Sequence, residues 1–145
     1  IIFRLADLYL LYAEAVNEID PQDERVLTYL NKVRQRAGLS NIEELNPAIE
    51  GNQELQRLAI QRERRIELAT EGQRYFDVRR WMIAEEEGVM QGGMLGIKIY
   101  QIPESTEYRY EPYVFETRSF SRRMYLHPFG TGEINKGYLI QNPGY

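Results

Sequence analysis

The stretch from residue 52 to residue 82 constrains the fold most, because it combines a helical period with a dense set of charges. Five apolar residues recur at helical spacing and share one face: Leu55, Leu58, Ala59, Ile66 and Ala69. Ile60 and Leu68 fall on nearly the opposite face, so the helix is expected to pack against several neighbours. We predict a central charged helix over residues 52–82, weakened or ended at Gly72 because glycine costs about 1 kcal/mol relative to alanine inside a helix.

The charges of this helix form a second stripe. Four charged residues follow one another at steps of three or four: Arg64, Glu67, Glu71 and Arg74. Glu63 adds a third glutamate to the row of Glu67 and Glu71, and like charges at this spacing repel on a bare helix. Arginine can offset that repulsion because its planar fork binds a carboxylate through two hydrogen bonds. We therefore predict a structural ion network that consists of Glu63, Arg64, Glu67, Glu71 and Arg74.

Glutamates in a row also admit a catalytic interpretation. In that alternative, Glu67 and Glu71 supply the carboxylates of a glycoside hydrolase. A metal site is not predicted, because metal-binding bundles add histidines at helical spacing and none stands near this helix. Ion networks often imitate active sites, so we favour the structural interpretation.

Residues 1–38 predict a pair of helices of tetratricopeptide length. The first helix is expected over Ile2–Ile19, with a face formed by Leu5, Leu8, Tyr9, Tyr12, Val16 and Ile19. Asp20 and Pro21 are interpreted as the N-cap and the first residue of the second helix. The start of the chain carries neither methionine nor a capping residue, and one helix pair cannot bury its own face. We therefore expect a piece of a longer protein.

Residues 88–145 predict a loop-rich tail that contains a short β-hairpin. The run IKIYQI alternates like a strand, and the aromatic run from Tyr108 to Phe120 is expected to pair back on it. Three tyrosines are the candidate ligand-binding residues: Tyr108, Tyr110 and Tyr113. Flat rings stack on the apolar faces of sugars, and tyrosine hydroxyls supply hydrogen bonds at the rim. The competing interpretation, which we favour from the sequence, buries these rings as core.

Composition excludes several classes of function. A formal net charge of −4 without any run of Lys or Arg argues against nucleic acid. No apolar stretch approaches the roughly 20 residues of a membrane-spanning helix, and the lack of cysteine removes disulfides and Cys-based zinc sites. His127 is the sole histidine, which makes neither a catalytic triad nor a metal site. The sequence predicts no catalytic residue, no metal and no cofactor.

The charged stretch carries a family resemblance. The run ERRIELATEGQRYFDVRRW resembles the signature of the SusD/RagB family, and twelve positions match it: Glu63, Arg64, Arg65, Glu67, Leu68, Glu71, Gly72, Arg74, Asp77, Arg79, Arg80 and Trp81. RLADLYLLYAEAVNE and YLNKVRQRAGL are similar to the last tetratricopeptide-like pair of the family. Near the C-terminus, Tyr125, Leu126 and the final QNPGY also match, whereas His127-Pro128-Phe129-Gly130 replaces the usual Pro-Ile-Pro.

The resemblance implies a C-terminal SusD-like domain over residues 1–145. It further implies a mostly α fold and a location at the cell surface, on the outer membrane, through a lipid anchor upstream. The implied function is non-catalytic capture of glycan nutrients beside a SusC-like TonB-dependent transporter. Three alternatives stay open: the glycoside hydrolase described above, a helical-repeat scaffold for protein partners, and a SusD-like protein whose ligand is a peptide.

Overall fold

The computed structural model describes residues 4–145, and the chain divides into two compact units, Ile1–Arg74 and Tyr75–Tyr145. The described part of the first unit contains α1 (Leu5–Ile19), α2 (Arg25–Arg36), the single turn α3 (Ile42–Leu45) and α4 (Gln53–Glu67). The chain enters the second unit within α5 (Gln73–Arg80), and that unit continues with β1 (Gly92–Gln101), β2 (Tyr108–Arg118) and α6 (Thr131–Ile134). The predicted fold class, mostly α with a β-hairpin, is confirmed.

The first unit is built around one apolar core, to which α1, α2 and α4 contribute. Its buried members are Ala6, Leu10, Ala13, Val16, Val26, Leu30, Val33 and Ile60. The small side chains of Ala6 and Ala13 leave room for close packing of the helices against α1. Asn17 joins α1 to α4 through two hydrogen bonds. Asn17 Nδ2 donates to the Gln53 carbonyl (3.0 Å), and Gln53 Nε2 donates to the Asn17 carbonyl (3.1 Å).

Only part of the predicted apolar face of α1 is buried, since Val16 enters the core. Leu10 is fully buried, whereas Leu5, Leu8 and Ile19 are exposed. Apolar residues lie on both sides of α1, so its period alone does not select the inner face. The inner face is marked instead by its small residues and by Asn17, which bonds to α4. The predicted start of this helix at Ile2 lies outside the described residues.

The predicted cap of α2 was wrong. Asp20 ends α1, because its amide donates to the Val16 carbonyl (2.8 Å). Its Oδ1 then accepts from the Gln22 amide (3.0 Å), which closes a turn that contains Pro21. The second helix begins only at Arg25. Asp and Pro favour turns as well as helix starts, so this pair did not distinguish the two.

Residues 52–82 contain two helices. Asn52 caps α4, since its Oδ1 accepts from the Leu55 amide (3.1 Å), and the helix ends at Glu67. Gly72, with a φ of +80°, lies in the connection to α5, where the sequence predicts an interruption. The predicted apolar stripe of α4 lies partly at the surface, because Leu58 and Ile66 are exposed. Polar residues occupy much of its buried side, where Gln56, Glu63 and Arg64 lie beside Ile60.

The two strands form one antiparallel hairpin. Gln101 pairs with Tyr108 and Ile99 pairs with Tyr110, and the register continues to Gly92 opposite Arg118. Between Met94 and Leu95 the register shifts, so β2 contains one extra residue there, a β-bulge at Phe115. The observed strand β1 begins five residues before the predicted strand Ile97–Ile102.

A smaller apolar core holds the second unit. Val78, Ala84 and Phe120 are its buried members, and the ring of Tyr125 meets that of Phe120 edge-on at 4.9 Å. The guanidinium of Arg79 covers the Tyr75 ring at 3.6 Å. No helix in the described residues combines the length and the apolarity that a membrane crossing requires.

One surface ion pair of the first unit predicts a pH dependence. Arg57 on α4 donates to both carboxylate oxygens of Glu18 on α1, at 2.8 and 2.7 Å, and these hydrogen bonds lower the pKa of Glu18. Because the folded pKa lies below the unfolded one, the pair stabilises the fold above about pH 4.3 and this stabilisation is lost as the pH falls further. We expect Glu18→Gln to be less stable than the wild type at pH 7, by less than about 1 kcal/mol. The difference in free energy of unfolding, measured by urea denaturation, should vanish in acid; a difference that grows in acid would contradict the assignment.

Candidate functional site

The hairpin is the strongest candidate site, because one of its faces is apolar and exposed. Strand alternation and register place seven apolar side chains beside Gln101 on this face, which we call the apolar hairpin face: Leu95, Ile97, Ile99, Tyr108, Tyr110, Pro112 and Val114. All seven are exposed, with Tyr110 at 62% and Leu95 at 70%. A contiguous, exposed apolar surface of this kind often marks a binding site, whereas single exposed apolar residues do not.

The opposite face of the hairpin is charged, and cations cover two of its rings. The Lys98 ammonium lies 4.7 Å from the ring centre of Tyr113, and the Arg109 guanidinium lies 5.3 Å from that of Tyr100. Arg109 also pairs with Glu111 at 3.0 Å. Within residues 4–145, the rings of Tyr108 and Tyr110 have no such cover. The two faces therefore differ in what their aromatic rings can still bind.

The structure separates the three tyrosines that the sequence grouped together. Tyr108 and Tyr110 lie on the apolar hairpin face, and Tyr113 lies on the charged one. All three are exposed, so their interpretation as buried core is wrong for the described residues. The sequence contained the signal for this separation. Side chains alternate between the two faces of a strand, so positions 108 and 110 fall on one face and position 113 falls on the other. Sequence reasoning did not identify their aliphatic neighbours Ile97 and Ile99 as part of the same exposed face.

Two of the predicted network residues form buried ion pairs with other helices. Arg64 Nη1 lies 2.8 Å from Asp7 Oδ1 on α1, and the two side chains are 2% and 7% exposed. Glu63 Oε2 lies 3.0 Å from Arg34 Nη1 on α2. The Arg34 side chain also donates to the Ser40 carbonyl at 3.0 Å. These pairs join α4 to α1 and α2, whereas helical spacing predicts partners along one helix.

The other predicted glutamates are held by arginines from the start of α1 and the end of α2. Arg4 donates to Glu67 (2.9 Å) and to both carboxylate oxygens of Glu71 (3.0 and 2.6 Å). Arg36 donates to both oxygens of Glu67, at 2.6 and 2.7 Å. The pKa of Arg4 is raised by Glu71 and Glu67. Arg74 is half-buried near the start of α5.

This geometry disfavours the glycoside hydrolase alternative. A general acid must carry a proton that it can donate to the leaving group. All four carboxylate oxygens of Glu67 and Glu71 accept hydrogen bonds from guanidinium groups. The sole histidine, His127, lies with its Nε2 2.9 Å from the Tyr75 hydroxyl. Among residues 4–145, no group of three or more acidic or histidine side chains could hold a metal ion.

Comparison with known proteins identifies the fold. The sequence profile of the SusD family matches residues 1–145. The structure of BT4246 superposes on the whole chain with a TM-score of 0.77 at 30% identity, and the chain covers 24% of it. SusD-like protein P2 of Formosa agariphila is 38% identical over 87 residues, and SusD-like protein P25 of the same organism is 44% identical over 84.

Each of these two alignments covers 57% of this chain, but only 17% of P2 and 15% of P25. The chain thus spans about a quarter or less of the length of these similar proteins. The profile match nevertheless extends over every residue of the sequence, including the charged helix and both ends. The chain belongs to the SusD family.

Proposed function

We propose that the protein is a non-catalytic cell-surface binding protein that captures glycan nutrients for import by a SusC-like TonB-dependent transporter. The observation that carries this proposal is the match of the SusD family profile over the whole chain. SusD-like proteins bind carbohydrate in nutrient uptake and are generally not catalytic. The proposed location is the surface of the outer membrane, with attachment through a lipid anchor.

Within the described residues, the apolar hairpin face is the proposed point of glycan contact. Tyr108 and Tyr110 are two residues apart on one strand, so their side chains stand about 7 Å apart on the same face. Ile97 and Ile99 extend this face on the neighbouring strand. Sugar rings have apolar faces that stack on such a surface, while tyrosine hydroxyls can bond to the hydroxyls at the sugar rim.

We expect Tyr110→Ala to weaken oligosaccharide binding about tenfold, because loss of a stacked ring removes roughly 1–2 kcal/mol of contact. The measurement is calorimetric titration of the protein with a panel of neutral oligosaccharides, followed by chromatography of the sugars. Tyr113→Ala is the matched control, since it changes the same residue type on the same strand but on the charged face. Its affinity should stay within about twofold of the wild type.

Other outcomes would overturn parts of this proposal. Equal losses in Tyr110→Ala and Tyr113→Ala would remove the assignment to one face. Binding that survives both changes would place the glycan site elsewhere in the protein. Saturable binding of peptides with no response to any sugar would replace the ligand class. Cleaved sugar, with cleavage lost in Glu67→Gln or Glu71→Gln, would replace the binding protein by an enzyme.

A further inference from the structure

The apolar hairpin face changes in character along its length. Its side chains lie in four cross-strand pairs, which we call rungs and count from the turn: Gln101 with Tyr108, Ile99 with Tyr110, Ile97 with Pro112, and Leu95 with Val114. The first two rungs carry one side-chain amide and two hydroxyls, whereas the last two rungs are purely aliphatic. Successive rungs stand about 7 Å apart, so the four extend over about 20 Å, which is longer than one sugar ring.

Two glycines of β1 confirm which side chains share a face. A Cβ at Gly93 would meet the Val114 side chain at 3.1 Å, so Val114 lies over Gly93 on the apolar hairpin face. A Cβ at Gly96 would meet the rings of Tyr113 and Phe115, at 3.1 and 3.3 Å, on the charged face. Every charged side chain of the two strands lies on that charged face: Lys98, Arg109, Glu111, Glu116 and Arg118. The apolar hairpin face therefore has no charge of its own with which to bind a charged ligand.

The two aliphatic rungs are a poor match for the hydroxyl groups of an unsubstituted sugar. A hydroxyl placed against Ile97 or Val114 gives up water and gains no hydrogen bond, which costs free energy. A carboxylate or sulfate loses more, because a charge is harder to desolvate than a hydroxyl. A methyl group gains from the same contact, by about fourfold in affinity for each methyl buried. Ile97 and Val114 are 65% and 55% exposed, so a ligand can reach both side chains.

We propose that the apolar hairpin face binds an uncharged glycan whose sugar units carry acetyl groups. The inference rests on the proposed function and names the ligand class of that site. One sugar ring stacks on Tyr108 and Tyr110 and bonds to their hydroxyls and to the Gln101 amide. The acetyl methyls of the adjoining unit lie on Ile97 and Val114. An acetyl group suits the aliphatic rungs because its methyl projects away from the sugar ring while its carbonyl can stay in water.

The test is calorimetric titration of the protein with two matched pairs of neutral oligosaccharides. Chitotetraose and cellotetraose share a β-linked glucose backbone and differ in the acetamido group of each unit. Acetylated and deacetylated xylotetraose differ in their ester-linked acetyl groups. We expect the acetylated member of at least one pair to bind about tenfold more tightly, because two methyls can lie on the aliphatic rungs at once. The pair that responds distinguishes amide-linked from ester-linked acetyl groups.

Val114→Thr exchanges an exposed methyl for a hydroxyl and keeps a β-branched side chain that suits a strand. It should weaken binding of the acetylated sugar about fourfold and leave that of the unacetylated partner within about twofold. Ile97→Thr should act in the same way, which keeps the test valid if one substitution disturbs the strand. Ile140→Thr is the matched control, since Ile140 is 91% exposed and lies outside the hairpin. Nuclear Overhauser effects between the acetyl methyl protons and the methyl protons of Ile97 and Val114 should locate the contact.

Equal affinity within both pairs would overturn the acetyl preference and leave the proposed function standing. Equal weakening of both members of a pair by Val114→Thr and Ile97→Thr would also overturn it, since the aliphatic rungs would then contact the sugar backbone. A preference for acetylated sugar that survives both substitutions would remove its assignment to this face. No binding of any of the four sugars would contradict the inference, whereas the wider panel of neutral oligosaccharides decides the proposed function. Tyr110→Ala should weaken both members of a pair alike, because it removes the ring contact that they share.

Discussion

The Arg64→Met protein should lose about 3–5 kcal/mol of its free energy of unfolding, the usual cost of breaking a buried ion pair on one side. Arg64 is 2% exposed, and its Nη1 atom lies 2.8 Å from Asp7 Oδ1. Methionine matches the length of the arginine stem but cannot compensate the carboxylate of Asp7, which is 7% exposed at its side chain. Urea denaturation followed by circular dichroism measures the change.

Two comparisons separate the ion pair from other effects of the substitution. Arg65→Met changes the neighbouring, exposed arginine of the same helix and should alter stability by less than about 0.5 kcal/mol. The double variant Asp7→Leu with Arg64→Met removes both charges and should recover most of the loss. An unchanged midpoint in Arg64→Met together with lost ligand binding would move Arg64 from the scaffold to the binding site.

The partners of the charged helix show where sequence reasoning ends. The density of Glu and Arg between positions 63 and 74 is enough to predict an ion network from the sequence alone. Helical spacing, however, describes only neighbours three or four residues away. Asp7 is 57 residues from Arg64 and Arg34 is 29 residues from Glu63, so the packing of three helices decides these pairs. A long-range pair of this kind has no local signal.

The hairpin was easier to predict than its binding face. Alternation in IKIYQI and the aromatic run after it predicted two paired strands. The sequence does not show whether the apolar face of the hairpin is buried. In most sheets the alternate apolar residues cover a core, so the pattern by itself predicts burial. Here both Tyr110 and its cross-strand partner Ile99 are exposed.

The first helix gives the second large prediction, because apolar residues lie on both of its sides and only one side is buried. Leu10→Ala should destabilise the protein by about 2–5 kcal/mol, the range for deletion of a buried leucine side chain. Leu10 is fully buried among the residues of α1, α2 and α4 that form the first core. The substitution leaves a cavity between three helices that also exchange buried ion pairs, so the site has little freedom to collapse.

Leu8→Ala is the matched control for Leu10→Ala. It removes the same atoms from the same helix, so the small gain in helix propensity from leucine to alanine is common to both and cancels in the comparison. Leu8 is 52% exposed, and its loss should cost less than about 0.5 kcal/mol. Urea denaturation of the two variants side by side gives the difference directly. Equal destabilisation would mean that both sides of α1 are buried in solution, and a larger cost for Leu8→Ala would mean that the face of Leu5, Leu8 and Tyr12 is the buried one.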